Sequence, residues 1–174
     1  MVIPHPKLTL VLGGARSGKS RYAESLIAAT PPPWVYVATA QALDAEMAER
    51  IAHHCKRRGD GWHTIEVPHD LQDAIDAAAG AAVLVDCMTL WLTNRMLADA
   101  DMGAETARLE AALARRNGLT VLVSTEVGSG IVPDNARARR FADLQGRLNQ
   151  RLAACADRVV LVVAGLPLIV KGQA

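Results

Sequence analysis

The most constraining feature of the chain is a glycine-rich motif near its N-terminus. Residues 13–20 read GGARSGKS, which matches the phosphate-loop pattern G-x-x-x-x-G-K-[S/T]. The motif follows the apolar run 8–12 and opens a segment with Tyr22, Ala23, Leu26 and Ile27 at helical spacing. A phosphate loop needs this order of strand, loop and helix, which disfavours the alternative of a chance glycine-rich turn.

Each residue type in the motif has a physical role. Glycines let the backbone N–H groups turn inward around a phosphate, and the start of the following helix adds a favourable dipole. Lys19 is expected to neutralise β- and γ-phosphate oxygens, and Ser20 is expected to hold Mg²⁺. The predicted nucleotide-contacting residues of the loop are Gly13, Gly14, Ala15, Arg16, Ser17, Gly18, Lys19 and Ser20.

Short apolar runs alternate with helix-like segments along the chain. Strands buried on both faces of a parallel sheet are predicted at 8–12, 35–38, 82–85, 120–123 and 159–163, with an added hairpin strand at 168–170. Helices are predicted near 19–29, 43–58, 70–79, 104–117 and 134–156. The 174 residues are 51% hydrophobic, which favours a single domain over residues 1–174. We expect an α/β, P-loop NTPase-like and RecA-like fold: a mostly parallel central sheet flanked by helices, with an antiparallel C-terminal edge strand.

Composition and charge argue against several other classes of protein. The formal net charge is +1 and aromatic residues make up 3%, so we expect no nucleic-acid partner. The three cysteines form no CxxC pair, and the N-terminus lacks the pattern of a secretory signal. The most apolar stretch, 159–170, is shorter than the roughly 20 residues of a membrane-spanning helix. We therefore expect a cytoplasmic protein without a stable membrane anchor.

Two acidic residues follow predicted strands. Asp86 directly follows the run 82–85. In a phosphate-loop protein, a carboxylate at the end of such a strand often belongs to the magnesium site. An alternative role for Asp86 is the N-cap of a helix beginning near Met88. Glu126 follows the strand at 120–123, and ligands of open α/β sheets collect at this edge. Glu126 is therefore a second candidate for a residue of the ligand site.

The predicted helix 43–58 contains two adjacent histidines. At 100° per residue, one face of this helix contains Met47, Ile51, Cys55 and Arg58. His54 then lies about 60° from Ile51, at the flank of this face, and His53 lies about 160° away. A partly buried structural role is the simplest interpretation of His54, and the spacing is not that of a usual zinc site.

Several ordered blocks give the chain a family resemblance from about residue 10 to 172. The blocks are GGARSGKS at 13–20, YVATA at 36–40, EMAERI at 46–51 leading to His54, RxxxWxTxE at 58–66, VDCxT at 85–89, EVGSGIVP at 126–133, NxxARxF at 135–141 and GRxNQ at 146–150. With them the chain resembles the bifunctional adenosylcobinamide kinase/adenosylcobinamide-phosphate guanylyltransferase family of cobalamin biosynthesis. One departure is Thr125, where the family more often has Asn between Ser and Glu.

The resemblance implies two reactions in one homotrimeric protein. ATP or GTP phosphorylates the hydroxyl of adenosylcobinamide, with Mg²⁺ as cofactor. GTP then guanylylates the histidine that matches His54, and the GMP passes to adenosylcobinamide phosphate to give adenosylcobinamide-GDP. His54 and Lys19 are the implied catalytic residues, and Ser20 and Asp86 the implied metal-site residues. Further implied nucleotide contacts are Ala38, Thr39, Ala40, Cys55, Lys56, Arg57, Arg58, Glu66 and Asp86.

Two other functions stay open at this point. A monofunctional P-loop small-molecule kinase would transfer phosphate without forming a covalent GMP adduct. A non-catalytic nucleotide-binding module would bind nucleotide without transfer.

Overall fold

The computed structural model describes residues 6–41 and 59–173. The strands are β1 (Leu8–Gly13), β2 (Trp34–Ala38), β3 (Trp62–Glu66), β4 (Ala82–Asp86), β5 (Thr120–Thr125), β6 (Arg158–Val163) and β7 (Leu166–Lys171). The helices within these ranges are α1 (Lys19–Ala28), α2 (Leu71–Ala77), α3 (Met88–Leu97), α4 (Met102–Arg115) and α5 (Ala136–Cys155). The predicted helix 43–58 lies outside the described residues.

All seven strands form one sheet with the order β3-β2-β4-β5-β1-β6-β7. Every neighbouring pair is parallel except β6 and β7, which are antiparallel. The predicted α/β fold with an antiparallel C-terminal edge is therefore confirmed. One strand, β5, lies between the strand that leads into the phosphate loop and β4, which ends at Asp86.

Both faces of the central strands are buried, which explains their continuous apolar runs. Along β1, Leu10 faces a cluster that includes residues of α2, α3, α4 and α5. Its neighbour Val11 faces the opposite cluster, which includes Ala23 and Ile27 of α1. Successive side chains of a strand point to opposite faces, so a central strand needs apolar residues at every position.

Two elements were absent from the predicted set. Strand β3 is the outer strand next to β2, and only Trp62 and Ile65 are partly buried in its sequence WHTIE. An edge strand does not need the continuous apolar run that marks a central one. Helix α3 begins two residues after Asp86, and the sequence indicates it only as a segment beginning near Met88. In the predicted helix 134–156, the apolar residues at helical spacing are Phe141, Leu144, Leu148, Leu152 and Cys155. The first four pack against the core of the folded protein, but Cys155 is exposed, so that part of the prediction is wrong.

The β6–β7 hairpin leaves an apolar edge. Leu166, Leu168 and Val170 alternate along β7 and are 71%, 60% and 62% exposed. Lys171 donates hydrogen bonds to the carbonyls of Ala153 and Ala154, 2.9 and 3.0 Å away, in the last turn of α5. A cation at this position also stabilises the helix dipole. Among the helices of the described residues, none combines the length and the apolar character needed to cross a membrane.

Candidate nucleotide-binding site

Most of the predicted site residues within the described ranges lie at the carboxyl ends of parallel strands. Ala38 is paired in register with Glu66 on one side and with Asp86 on the other. Gly13 is paired with Thr125 and with Val162. Neighbouring strands lie about 4.8 Å apart, so the ends of β1 and β4 are separated by about 10 Å. Both strand ends therefore lie at one edge of the sheet, and the distance between them suits a bound polyphosphate.

The phosphate loop closes on itself through backbone and lysine contacts. The N–H of Ser17 donates to the carbonyl oxygen of Gly14 at 3.3 Å. The Lys19 ammonium donates to the same carbonyl oxygen at 3.0 Å. Gly18 caps α1 with φ 93°, in the left-handed region that favours glycine. The sequence GGARSGKS thus forms a tight turn that delivers Lys19 to the start of a helix.

Gly13 lies where the loop packs against the sheet. A Cβ atom on Gly13 would lie 2.4 Å from Ser17 Oγ and 2.8 Å from the carbonyl oxygen of Val162. The turn between β6 and β7 supports the loop from the same side, since the N–H of Gly165 donates to the carbonyl of Ser17 at 2.8 Å. The Ser17 hydroxyl is buried without a hydrogen-bond partner among the described residues. A phosphate oxygen would give it one.

Asp86 is held by an aromatic hydroxyl. The Tyr36 O–H donates to Asp86 Oδ2 at 3.0 Å, across the β2–β4 pair. The N-cap residue of α3 is Cys87, and no side chain forms a cap hydrogen bond there, so the N-cap role considered for Asp86 is wrong. Burial raises the pKa of the Cys87 thiol to about 11, an increase that Asp86 augments and Lys19 opposes. Both charged groups therefore act on the Cys87 thiol, which directly follows β4.

Thr39 follows β2 and is completely buried. Its hydroxyl donates to the carbonyl oxygen of Cys87 at 2.6 Å and accepts from the N–H of Cys87 at 2.8 Å. Its backbone N–H donates to the carbonyl oxygen of Asp86 at 3.3 Å. Its carbonyl oxygen accepts from Asn94 Nδ2 at 2.9 Å. Every polar group of Thr39 thus has a partner inside the protein.

Glu126 lies beside the phosphate loop, as its position after β5 predicted. Its backbone N–H donates to the carbonyl oxygen of Gly13 at 3.1 Å. Its carboxylate accepts from the N–H of Gly128 at 2.6 Å and so fixes the first turn of the loop after β5. Glu126 therefore tethers this loop to the phosphate loop.

The structure thus places the phosphate loop, residues 38–40, Glu66 and Asp86 along the same edge of the sheet, with Glu66 four strands away from the loop. The predicted residues His54, Cys55, Lys56, Arg57 and Arg58 lie outside the described residues. Sequence reasoning gave no role to Tyr36, although it begins the YVATA block, and it missed Asn94 altogether. Nothing in the sequence around Asn94 marks it, because its partners lie far away along the chain.

Magnesium would have to bind with the nucleotide at this site. Within residues 6–41 and 59–173, no group of three or more His, Cys, Asp and Glu side chains could hold a metal ion alone. Mg²⁺ in phosphate-loop proteins takes few protein ligands and completes its shell with substrate phosphates and water. Ser20 at the start of α1 and Asp86 at the end of β4 are donors of this kind, and both are partly exposed.

The sheet order and the phosphate loop define a P-loop NTPase-like fold. Among solved structures, the chain is similar to a prototypical ATPase from the type III secretion system of pathogenic bacteria, with a TM-score of 0.56 and 10% identity. That match covers 94% of this chain and 56% of the ATPase, so the chain spans little more than half its length. At this identity the likeness concerns the fold alone.

Sequence comparison identifies the family. The model of the family described as cobinamide kinase/cobinamide phosphate guanyltransferase matches residues 9–170. The bifunctional adenosylcobalamin biosynthesis protein CobP of Pseudomonas aeruginosa is 47% identical, covering 94% of this chain and 97% of that protein. The bifunctional adenosylcobalamin biosynthesis protein CobU of Salmonella typhimurium is 44% identical, and the match covers 94% of this chain and 99% of that protein. The chain belongs to the cobinamide kinase/cobinamide phosphate guanyltransferase family.

Proposed function

We propose that the protein catalyses two consecutive reactions of cobalamin biosynthesis. In the first, ATP or GTP phosphorylates the hydroxyl of adenosylcobinamide. In the second, GMP from GTP is transferred to adenosylcobinamide phosphate, and adenosylcobinamide-GDP is formed. The observation that best supports this proposal is an intact phosphate loop in a chain whose family is described by both activities. Its relatives are described as bifunctional adenosylcobalamin biosynthesis proteins.

The phosphate loop serves the first reaction by binding and orienting the nucleotide. Backbone N–H groups of residues 13–20 and the N-terminus of α1 hold the β- and γ-phosphates. The Lys19 ammonium, now 3.0 Å from the Gly14 carbonyl oxygen, exchanges that partner for a phosphate oxygen. Phosphoryl transfer depends mainly on such positioning and charge stabilisation.

Ser20 and Asp86 are proposed as the protein's contribution to magnesium binding. When bound with the nucleotide, Mg²⁺ supplies positive charge to the phosphate oxygens. Tyr36 fixes the orientation of Asp86 through Oδ2, so the carboxylate is prepared for this role before nucleotide arrives.

The second reaction is proposed to use His54 as a nucleophile. A neutral imidazole nitrogen attacks the α-phosphorus of GTP, the bond from that phosphorus to the bridging oxygen breaks, and pyrophosphate leaves. A phosphate oxygen of adenosylcobinamide phosphate then attacks the same phosphorus. The P–N bond breaks, the product is released and the histidine is regenerated.

A labelling experiment tests this route. We would incubate the protein with α-³²P-labelled GTP and Mg²⁺ and compare it with the variants His54→Ala and His53→Ala. We expect an acid-labile, base-stable label on the native protein and on His53→Ala, and none on His54→Ala. Phosphorylation of adenosylcobinamide without any label on the native protein would instead indicate the monofunctional kinase.

We further propose that the protein is a cytoplasmic homotrimer. Cytoplasmic location agrees with reactions that consume GTP and ATP. Self-association is supported by the alternating exposed residues Leu166, Leu168 and Val170 on the edge strand β7, since exposed apolar edges favour association. Light scattering coupled to size-exclusion chromatography should give three times the 18.5 kDa chain mass, and a monomer mass would contradict this assembly.

A further inference from the structure

The ends of three strands and one helix are tied together by a buried polar network beside the site. Thr39 is its centre at the end of β2, and its hydroxyl forms two hydrogen bonds with the backbone of Cys87, directly after β4. Hydrogen bonds of 2.6 and 2.8 Å from one buried hydroxyl fix the separation of these two strand ends.

Asn94 of α3 extends the network to the loop after β3. Its Nδ2 atom donates to the carbonyl oxygen of Thr39 at 2.9 Å and to that of Pro68 at 3.0 Å. A primary amide has two N–H donors, so both are used. Asn94 is only 7% exposed. The nearby Trp91 supports the same loop, because its Nε1 donates to the carbonyl oxygen of His69 at 2.8 Å.

The strand ends joined by this network are those that bear the predicted nucleotide residues outside the phosphate loop. Ala38 is paired with Glu66 and with Asp86 in the sheet register. The N–H of Val67 also donates to the carbonyl oxygen of Ala38 at 2.8 Å. The contacts of the phosphate loop, in contrast, are made with β5, β6 and the β6–β7 turn.

From this division we propose that Asn94 and Thr39 are positioning residues for the nucleoside half of GTP. They act by holding the ends of β2, β3 and β4 in fixed relative positions, without contacting the phosphates. This inference rests on the proposed function, because it concerns GTP bound with its phosphates in the loop at residues 13–20.

The inference predicts that loss of the network weakens binding of the nucleoside half of GTP and leaves binding of its phosphates unchanged. We would measure by calorimetry the binding of GTP and of inorganic tripolyphosphate, which lacks the nucleoside. Mg²⁺ is left out, so that the proposed magnesium ligand Asp86 at the end of β4 takes no part in binding the phosphates. In Asn94→Ala, the buried carbonyl oxygen of Thr39 and the partly buried one of Pro68 lose their donor. We expect the Kd for GTP to rise roughly tenfold and the Kd for tripolyphosphate to stay within about twofold of the native value.

Three further variants separate positioning from general stability. Thr39→Val removes the hydroxyl at nearly constant volume and should reproduce Asn94→Ala. Thr39→Ser keeps the hydroxyl and should recover most of the GTP affinity that Thr39→Val loses. Leu109→Ala removes a fully buried side chain of α4; it should lower the melting temperature and leave both Kd values unchanged at 20 °C, where the variant is folded. If Asn94→Ala does not fold, the comparison of Thr39→Val with Thr39→Ser tests the inference.

Two results would overturn the inference. One is native-like GTP affinity in folded Asn94→Ala or Thr39→Val. The other is an equal loss of affinity for GTP and tripolyphosphate, which would mean that the network supports the site as a whole. A native protein that binds GTP but forms no guanylyl adduct would contradict the proposed transferase reaction and leave the binding comparison valid.

Discussion

Replacing Gly13 by alanine should distort the phosphate loop by a predictable amount. The new Cβ would lie 2.4 Å from Ser17 Oγ and 2.8 Å from the carbonyl oxygen of Val162. The serine hydroxyl can rotate away, but the Val162 carbonyl belongs to β6 and is held by the sheet. Overpacking of this kind costs about 1–3 kcal/mol. For a domain of this size, a loss of about 2 kcal/mol lowers the melting temperature by roughly 4–8 °C.

Gly14→Ala is the matched control, since the same substitution one residue later meets no atom within 4 Å. We expect its melting temperature to stay within about 2 °C of the native value. Thermal unfolding followed by circular dichroism, without nucleotide, measures both variants. Equal melting temperatures for Gly13→Ala and Gly14→Ala would refute the packing argument.

Three further predictions concern buried groups. In the unfolded chain the Cys87 thiol ionises near its ordinary pKa, whereas in the folded protein its pKa is about 11, so the native state binds more protons above pH 9. The free energy of unfolding should therefore fall by about 2 kcal/mol between pH 8 and 10.5 because of this thiol. Urea titrations of Cys87→Ala should lack that part of the decrease. Tyr36→Phe removes the hydrogen bond to Asp86 and should slow phosphorylation of adenosylcobinamide roughly tenfold, so an unchanged initial rate would contradict the role of Tyr36. Arg116 is buried and donates to the Thr120 hydroxyl and to two backbone carbonyls; Arg116→Met should cost about 2–4 kcal/mol in urea unfolding, and a native-like midpoint would contradict this.

The central part of the fold could be predicted because it leaves patterns among residues that are close together in the sequence. Central strands of a parallel sheet are buried on both faces, so β1, β4 and β5 are visible as apolar runs. The phosphate loop is similarly visible, since a tight turn around phosphate requires glycines and a lysine at fixed spacing. The hairpin strand was also predicted, although the structure begins it at Leu166, earlier than position 168.

The rest depends on contacts between distant parts of the chain. Strand β3 lacks an apolar run because it lies at the sheet edge, next to β2 alone. Asn94 is linked to Thr39, 55 residues earlier, and to Pro68, 26 residues earlier. Hydrogen bonds over such separations leave no periodic pattern in the sequence. The family resemblance therefore implies a nucleotide contact at Thr39, but the sequence could not predict that the polar groups of Thr39 are used within the protein.

Product analysis of the complete reaction tests the central claim most directly. The protein would be incubated with adenosylcobinamide, GTP and Mg²⁺, and the corrinoids separated and identified by mass spectrometry. We predict adenosylcobinamide-GDP from the native protein, adenosylcobinamide phosphate alone from His54→Ala, and unchanged adenosylcobinamide from Lys19→Met. Unchanged adenosylcobinamide with the native protein, under conditions in which it binds GTP, would contradict the account.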